Sequence, residues 1–246
     1  MLAKSTNELN IREVPAAILA GGLATRLRPY TERIPKALVD LAGRPFIDHQ
    51  LELLRRNGIR RVVFCLGYLG EMVEQHCGDG SKLGMELKYS YDGEKLLGTG
   101  GALRRASHLL GDAFWVMYGD SYMDIDYPDV LKHFSASDAL GLMTVLKNAN
   151  QWDRSNVVFQ DGDLKRYDKK NQTPNMHYID YGVGLLRRDA IERIPQNEPF
   201  DLASLYHDLV AEEQMIGYEV TNRFYEIGTP AALEEARAYL AARQRE

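Results

Sequence analysis

The chain has 246 residues, 45% of them hydrophobic and 26% charged, so it is long enough to bury the core of one large α/β domain or two small ones. Its 30 basic and 35 acidic residues give a formal net charge of −5, which argues against a nucleic-acid partner, because nucleic-acid binders gather positive charge. No stretch reaches the roughly 20 apolar residues that a membrane span needs. The two cysteines, Cys65 and Cys77, fit neither a metal nor a redox spacing, so we expect a cytoplasmic protein without a membrane partner.

Residues 1–13 mix charged and polar side chains and lack the apolar segment of a signal sequence, so we expect them to form an N-terminal extension. An apolar run over 16–19 then predicts a buried first strand, and the glycine pair Gly21 and Gly22 follows its carboxyl end. Such glycines let the backbone turn sharply and leave amide N–H groups unshielded, which suits a phosphate. Three cations follow within a short reach of the turn, at Arg26, Arg28 and Lys36. This stretch predicts the triphosphate cradle of a nucleotide-using enzyme.

Two common glycine-rich phosphate motifs are absent from the sequence. The segment from Gly93 to Gly98 has the spacing of a Walker A loop, but Thr99 and Gly100 follow where that loop needs a lysine. The Gly98-Thr99-Gly100 string starts like a dinucleotide-binding fingerprint, but Leu103 stands where the third glycine is required. The phosphate site is therefore of another kind.

Hydrophobic periodicity predicts helices and strands in alternation after this loop. In the first half, helices are predicted over 45–57, 70–76 and 99–110, and strands over 61–68, 87–91 and 114–118. This order implies right-handed crossovers and a mostly parallel sheet with helices on both faces. In the second half, strands are predicted over 140–146, 156–159, 164–167 and 179–186, and helices over 202–213 and 230–243. No linker separates the halves, so residues 14–246 are expected to form a single domain.

The loop after the first strand resembles the signature of the sugar-1-phosphate nucleotidyltransferases, or nucleotide-sugar pyrophosphorylases, in which G-G-x-G-T-R-L is followed by P-K. The match runs from Leu19 to Leu38, and further pieces recur in order as far as residue 230. Ala24 stands where the family usually has glycine, so a left-handed backbone there would be strained. The resemblance implies an α/β fold, a Rossmann-like three-layer sandwich with a mostly parallel central sheet and a small sugar-binding β subregion. It also implies a nucleotide-binding half over about 14–135 and a sugar-binding half over about 136–246.

The resemblance further assigns roles to individual residues. The implied nucleotide contacts are Leu19, Ala20, Gly21, Gly22, Thr25, Arg26, Glu94, Gly98 and Thr99. The implied contacts to the sugar and its phosphate are Lys36, Asn156, Lys170, Asp180, Tyr181 and Gly182. Asp120 and Glu226 are the implied Mg²⁺ ligands, and Arg26, Lys36 and Asp120 form the implied catalytic set.

Several of these assignments leave alternatives open. Lys169 and Lys170 could exchange roles, since Lys169 replaces the glutamate of the family's E-K-P motif. Glu94 either reads a base edge or is a solvated loop residue. Asn156 replaces a common glycine, which is chemically reasonable because asparagine tolerates a left-handed backbone. The helix that opens at Gly98 is expected to offer free N–H groups to a ligand.

The expected reaction transfers a nucleoside monophosphate from a nucleoside triphosphate (NTP) to a sugar 1-phosphate, releasing pyrophosphate by Mg²⁺-assisted in-line attack. The sugar phosphate has a second pKa of about 6, so it is already a nucleophile at neutral pH and needs no general base. Within the family, the chain looks most like the heptose-1-phosphate guanylyltransferases and the N-acetylmuramate-1-phosphate uridylyltransferases. Related enzymes often self-associate, and the sequence leaves the oligomeric state open.

Two other classes of function remain as alternatives. Asp124-Ile125-Asp126 spells the D-x-D of glycosyltransferases, which would release a nucleoside diphosphate. A second such string, Asp161-Gly162-Asp163, is expected to be a hairpin turn. A catalytically silent sensor would bind a nucleotide-sugar without turnover.

Overall fold

The computed structural model describes residues 9–243, and the expectation for residues 1–8 lies outside that range. The strands are β1 (Ala16–Leu19), β2 (Asp40–Leu41), β3 (Arg44–Pro45), β4 (Arg61–Leu66), β5 (Glu86–Tyr91), β6 (Ala113–Tyr118), β7 (Ser121–Tyr122), β8 (Gly141–Lys147), β9 (Val157–Gln160), β10 (Asp163–Tyr167), β11 (Tyr178–Arg187), β12 (Met215–Val220) and β13 (Tyr225–Glu226). The helices are α1 (Phe46–Arg56), α2 (Gly70–Cys77), α3 (Gly98–Leu110), α4 (Tyr127–Ser135), α5 (Arg188–Ile191), α6 (Leu202–Ala211) and α7 (Pro230–Arg243). No helix in this range is long and apolar enough to cross a membrane.

The main sheet has the order β10-β9-β11-β6-β1-β4-β5, with β8 beside β11 and β12 beside β8. Strands β5, β4, β1 and β6 are parallel, and β11 joins them antiparallel to β6. The register aligns Leu19 with Cys65 on one side and with Tyr118 on the other, so these strands end at one edge. The expected Rossmann-like α/β class with a mostly parallel central sheet is confirmed.

Helices cover both faces of this sheet, because the side chains of each strand alternate between two apolar cores. In β1, Ala16 and Ile18 join one core with residues of α1, α2 and α4, while Ala17 joins the other with residues of α3, α5 and α6. A third cluster lies between the outer side of α1 and helix α7. The central strands are thus held rigidly, and the loops at their carboxyl ends are free to bind a ligand.

The sequence analysis did not predict helices α4 and α5, the edge strand β12 or the four two-residue strands β2, β3, β7 and β13. Helix α4 begins beside Pro128, and the Asp126 side chain caps it by accepting the Asp129 N–H at 3.0 Å. Proline is compatible with the first turn of a helix, so the residue that looks like a breaker marks a start. Strand β12 pairs with β8 and therefore depends on a partner more than 60 positions away.

Residues 9–13, the described part of the expected N-terminal extension, pack against the domain. Leu9 and Ile11 pack against the first core. The Glu13 carbonyl accepts a hydrogen bond from Arg61 at 3.4 Å. Leu9 and Ile11 are the apolar side chains of a segment whose other residues are mostly polar or charged, and they account for this packing.

Candidate active site

The glycine turn after β1 is built by close backbone contacts. A β-carbon on Gly21 would lie 3.0 Å from the Gly67 nitrogen, so glycine lets this loop approach the end of β4. Ala24 has a left-handed backbone with φ 48° and ψ 38°, as the sequence suggested for the position of the family's glycine. The Thr31 hydroxyl donates to the Ala24 carbonyl at 2.8 Å and holds this strained residue in place.

Lys36 and Asp120 form an ion pair beside this turn. The Lys36 Nζ lies 2.9 Å from the Asp120 Oδ2, and their side chains are only 17% and 30% exposed. Pro35 precedes the short turn that carries Lys36, while Asp120 follows the end of β6. Residues 84 positions apart are thus brought together, as the sequence analysis required of a phosphate site.

Glu226 and Arg26 complete the charged group around this pair. Glu226 lies on β13, opposite Ser121 of β7, and the neighbouring Ile227 N–H donates to the Asp120 carbonyl at 2.9 Å. A carboxylate oxygen of Glu226 and a guanidinium nitrogen of Arg26 both lie within 3.6 Å of the point where a β-carbon on Gly228 would stand. Burial, and then the charge of Asp120, raise the pKa of Glu226, although Arg26 and Lys36 oppose this shift. Two carboxylates and two cations therefore converge.

A cavity of about 260 Å³ opens beside Lys36 and Asp120, at the carboxyl ends of the parallel strands, and Arg26 and Glu226 lie outside its lining. Its lining comes from the glycine turn, the ends of β4, β5 and β6, and the start of α3. The lining residues that the sequence analysis singled out for the site are Leu19, Ala20, Gly21, Gly22, Lys36, Gly98, Thr99 and Asp120. Burial raises the pKa of the lining thiol Cys65 to about 12, so this cysteine stays protonated and is not a nucleophile.

The start of α3 differs from the expectation of free N–H groups. The Gly100 and Gly101 N–H groups both donate to the Phe200 carbonyl, at 2.9 and 3.2 Å. A β-carbon on Gly101 would lie 2.5 Å from the Glu198 carbonyl oxygen, so this glycine serves close packing. Two of the expected donors are therefore not available to a ligand.

The residues expected on the sugar side form a polar network around Asp180. The Asp180 side chain is 5% exposed, and its carboxylate accepts from the Gly182 N–H at 3.1 Å and from the Tyr167 hydroxyl at 3.4 Å. The Lys169 Nζ lies 3.8 Å from the same carboxylate and 5.7 Å from the ring centre of Tyr118, which lines the cavity. Burial is the largest single influence on the pKa of Lys169 and lowers it, but Asp180, Tyr118 and Asp201 together outweigh burial, so the pKa is raised.

Lys169 and Lys170 both line an outer groove that also contains His207 and Asp208. The Lys170 backbone N–H donates to Asp168 at 2.9 Å, and the side chain is exposed. Of the two lysines that the sequence left open, Lys169 is the one whose ammonium group lies beside Asp180 and near the ring of Tyr118, a residue of the cavity lining.

Three other expected residues act differently from the sequence analysis. Asn156 is buried and has no left-handed backbone, so the reason offered for its replacing glycine is wrong; its Oδ1 accepts the Asp180 N–H at 2.9 Å. Tyr181 is 2% exposed, and its ring packs edge-on against Phe224. Gly182 has φ 97°, so the network does need a glycine there.

Glu94 and Thr25 are exposed and do not line the cavity. The sequence analysis missed two buried residues that do bear on the site. Gln50 of α1 donates to the carbonyls of Tyr118 and Ser121 at 3.0 and 2.7 Å and so holds the turn that carries Asp120. Asp92, which follows β5, lines the cavity. A polar residue after an apolar strand was the available signal for Asp92.

Both D-x-D strings are engaged in structural contacts. The Asp124 carboxylate pairs with Arg243, and Asp126 is the cap of α4. Asp161 and Gly162 both have positive φ and form the turn between β9 and β10, which confirms the expected hairpin.

The sequence pattern of the family described as nucleotidyl transferase matches residues 15–243 of this chain. The chain belongs to the nucleotidyl transferase family. Among its relatives is an N-acetylmuramate alpha-1-phosphate uridylyltransferase of Neisseria meningitidis, 30% identical over 233 residues, which cover 92% of this chain and 98% of the relative. Another is a D-glycero-alpha-D-manno-heptose 1-phosphate guanylyltransferase of Campylobacter jejuni, 28% identical, with 87% and 95% covered. The resemblance inferred from the sequence is confirmed.

A mannose-1-phosphate guanylyltransferase catalytic subunit beta of Danio rerio is 31% identical over 223 residues, and this chain spans 61% of its length. A solved structure from Bacillus anthracis, described as a glucose-1-phosphate thymidylyltransferase in complex with a sucrose, superposes with a TM-score of 0.83. It covers 92% of this chain and 95% of its own at 19% identity, so that likeness concerns the fold alone.

The donor set at the centre of the site fits Mg²⁺. This ion is usually held by one or two carboxylates, with substrate phosphates and water filling the remaining positions. Asp120 and Glu226 supply two carboxylates close enough for one to raise the pKa of the other, a repulsion that a cation would relieve. Residues 9–243 contain no cluster of three or more acidic, histidine or cysteine ligands that could hold a metal alone.

Proposed function

We propose that this chain transfers a nucleoside monophosphate from an NTP to a sugar 1-phosphate, giving a nucleotide-sugar and pyrophosphate. The observation that carries the proposal is the convergence of Arg26, Lys36, Asp120 and Glu226 at the carboxyl ends of the parallel strands. Two anionic substrates must be held against each other in such a reaction, and charge must be spread as pyrophosphate leaves. Relatives named as guanylyl- and uridylyltransferases of sugar 1-phosphates support this assignment.

The chain's own residues would divide this work by position. Lys36 stands between the glycine turn and Asp120, where it would hold the α-phosphate and the sugar phosphate together, and Arg26 would bind the outgoing phosphates. Lys169, rather than Lys170, is the lysine we assign to the sugar phosphate, because it reaches Asp180 and Tyr118. Asp120 and Glu226 would hold Mg²⁺, which when bound neutralises charge on the phosphate oxygens.

A release assay tests the proposal. The common NTPs would be crossed with a panel of hexose and heptose 1-phosphates, and both pyrophosphate and nucleoside diphosphate would be measured. Pyrophosphate release with at least one pair is expected. Release of a nucleoside diphosphate from a nucleotide-sugar would instead indicate a glycosyltransferase, and binding without any turnover would indicate a sensor.

Paired lysine variants sharpen this assay. Lys169→Met is expected to raise KM for the sugar 1-phosphate at least tenfold, because a charge-assisted contact to the phosphate is lost. Lys170→Met is expected to leave KM within about twofold, since its side chain is exposed and lies outside the network around Asp180. A larger rise in KM for Lys170→Met than for Lys169→Met would instead assign binding of the sugar phosphate to Lys170.

A further inference from the structure

Asp92 is a buried acid that the reaction chemistry does not use. It follows β5, its N–H donates to the Leu66 carbonyl at 2.9 Å, and the residue is 7% exposed. Its Oδ2 accepts the Leu97 N–H at 3.0 Å, and within residues 9–243 no donor is found for its Oδ1. Burial raises the pKa of Asp92, opposed by the Leu97 hydrogen bond and by Arg105. The Oδ1 is not among the fully buried unpaired atoms of this range, so water reaches it, and a ligand that displaces this water must donate to the carboxylate.

The position of Asp92 along the sheet edge indicates which part of a nucleotide it would meet. Asp92 lines the same cavity as Lys36 and Asp120. The strands that carry the two acids, β5 and β6, are separated by β4 and β1, which at the usual spacing between strands places their ends about 14 Å apart. The cations lie at the β6 end, so phosphates belong there. If the nucleotide lies along this edge, its ribose and base reach the β5 end. The Asp92 carboxylate would repel a phosphate there but would accept a hydrogen bond from a base.

We propose, on the basis of the nucleotidyltransferase function above, that Asp92 reads the nucleobase and selects guanine. A carboxylate only accepts hydrogen bonds, so it favours a base edge that presents adjacent donors. Guanine presents two neighbouring donors on its pairing edge, the ring N1–H and the 2-amino group. Uracil presents a single N–H between two carbonyls, and adenine and cytosine present an amino group beside a ring nitrogen that accepts. Guanine is therefore the base that satisfies this carboxylate without placing an acceptor against it.

Nucleotide binding measured by calorimetry, without any sugar phosphate, tests the proposal independently of turnover. The probes are GTP, inosine triphosphate (ITP) and UTP, because ITP differs from GTP only in lacking the 2-amino group. The wild type is expected to bind GTP about 10- to 100-fold more tightly than ITP, the usual loss when a hydrogen bond to a charged acceptor is removed. In Asp92→Asn, an amide NH₂ group can replace the carboxylate oxygen that would accept a hydrogen bond from guanine. The GTP-to-ITP and GTP-to-UTP preferences should both fall at least tenfold.

A matched control and a competing residue complete the experiment. Asp112→Asn makes the same acid-to-amide change at a fully exposed side chain and should leave all three affinities unchanged. Glu94→Gln tests the acid that the sequence singled out. If the preference for GTP disappears in Glu94→Gln and persists in Asp92→Asn, the proposal is overturned.

The remaining outcomes separate this proposal from the function on which it rests. If the wild type binds none of the triphosphates, the nucleotidyltransferase function and the role of Asp92 are both refuted. If it binds them but accepts GTP and ITP within threefold, only the role of Asp92 falls. Because that comparison uses the wild type alone, it decides the matter even if Asp92→Asn does not fold, as judged by its thermal midpoint.

Discussion

The Lys36→Met substitution probes the ion pair at the centre of the site. At 2.9 Å and an effective dielectric constant of about 20, two unit charges attract by roughly 6 kcal/mol. Desolvation of the largely buried lysine and residual exposure of the aspartate offset most of this attraction. We therefore expect the free energy of unfolding to fall by about 1 to 3 kcal/mol, the range for a partly buried acceptor that loses its donor. The loss arises because Asp120 then faces Glu226 without Lys36 between them.

The activity of the same variant should fall much further than its stability. Removing one electrostatic contact to the reacting phosphates typically costs about 10² to 10³ in kcat. The measurements are urea denaturation and pyrophosphate release with the substrate pair found in the screen. Lys132→Met, an exposed lysine on α4, is the matched control and should change neither.

A double-mutant cycle with Asp120→Asn decides whether the pair exists in solution. If Lys36 and Asp120 interact as the structure indicates, the double variant should be more stable than the sum of the single effects predicts, by about 1 kcal/mol or more. Additive effects, or a loss below about 0.5 kcal/mol in Lys36→Met, would refute the pairing. Near-normal pyrophosphate release by Lys36→Met would refute its catalytic role.

Three further predictions follow from individual side chains. Because the pKa of Glu226 is raised above 4.5 in the folded protein, its ionised carboxylate opposes folding at neutral pH. Glu226→Gln should therefore raise the thermal midpoint at pH 7, by a margin that shrinks as the pH falls toward 4.5 and vanishes below it, while pyrophosphate release is lost. A constant gain across this range in calorimetric scans would contradict the assignment. Ala24→Gly should raise the free energy of unfolding by about 0.5 kcal/mol in urea, since relief of the left-handed strain exceeds the added entropy of the unfolded chain. Asp126→Ala should cost about 1 kcal/mol through the lost cap of α4 and leave kcat unchanged, and a large loss of kcat would revive the glycosyltransferase alternative.

Local patterns were sufficient for the parallel strands of the first half of the fold and for the helices between them. The glycine turn follows an apolar run, and helices α1 and α3 show regular apolar spacing, so their types and order could be predicted. The left-handed backbone at Ala24 could also be anticipated, because Ala24 stands where the family usually has a glycine and the loop keeps the same backbone conformation. These features depend on neighbours in the sequence.

Contacts between distant segments could not be predicted from local sequence patterns. Strand β12 forms only because β8 offers it an edge, and the Gly100 and Gly101 N–H groups lose their expected availability because the Phe200 carbonyl lies against them. The choice between Lys169 and Lys170 depends on which side of the chain faces Asp180 as the segment leaves β10. The two lysines lie in a bend in which the Asp168 carboxylate accepts the Lys170 and Asn171 N–H groups, and the way this bend packs against the domain decides which lysine meets Asp180.

The sequence by itself determined the family, the α/β class and the residue types of the site, because glycines, cations and acids at the ends of apolar strands are local signals. Only the tertiary structure decided that Lys36 and Asp120 line one cavity with Arg26 and Glu226 beside them, and that Asp92 rather than Glu94 belongs to its lining. The physical reason is that parallel strands bring their carboxyl ends to one edge, whereas burial and hydrogen-bond partners at that edge depend on how every other element packs.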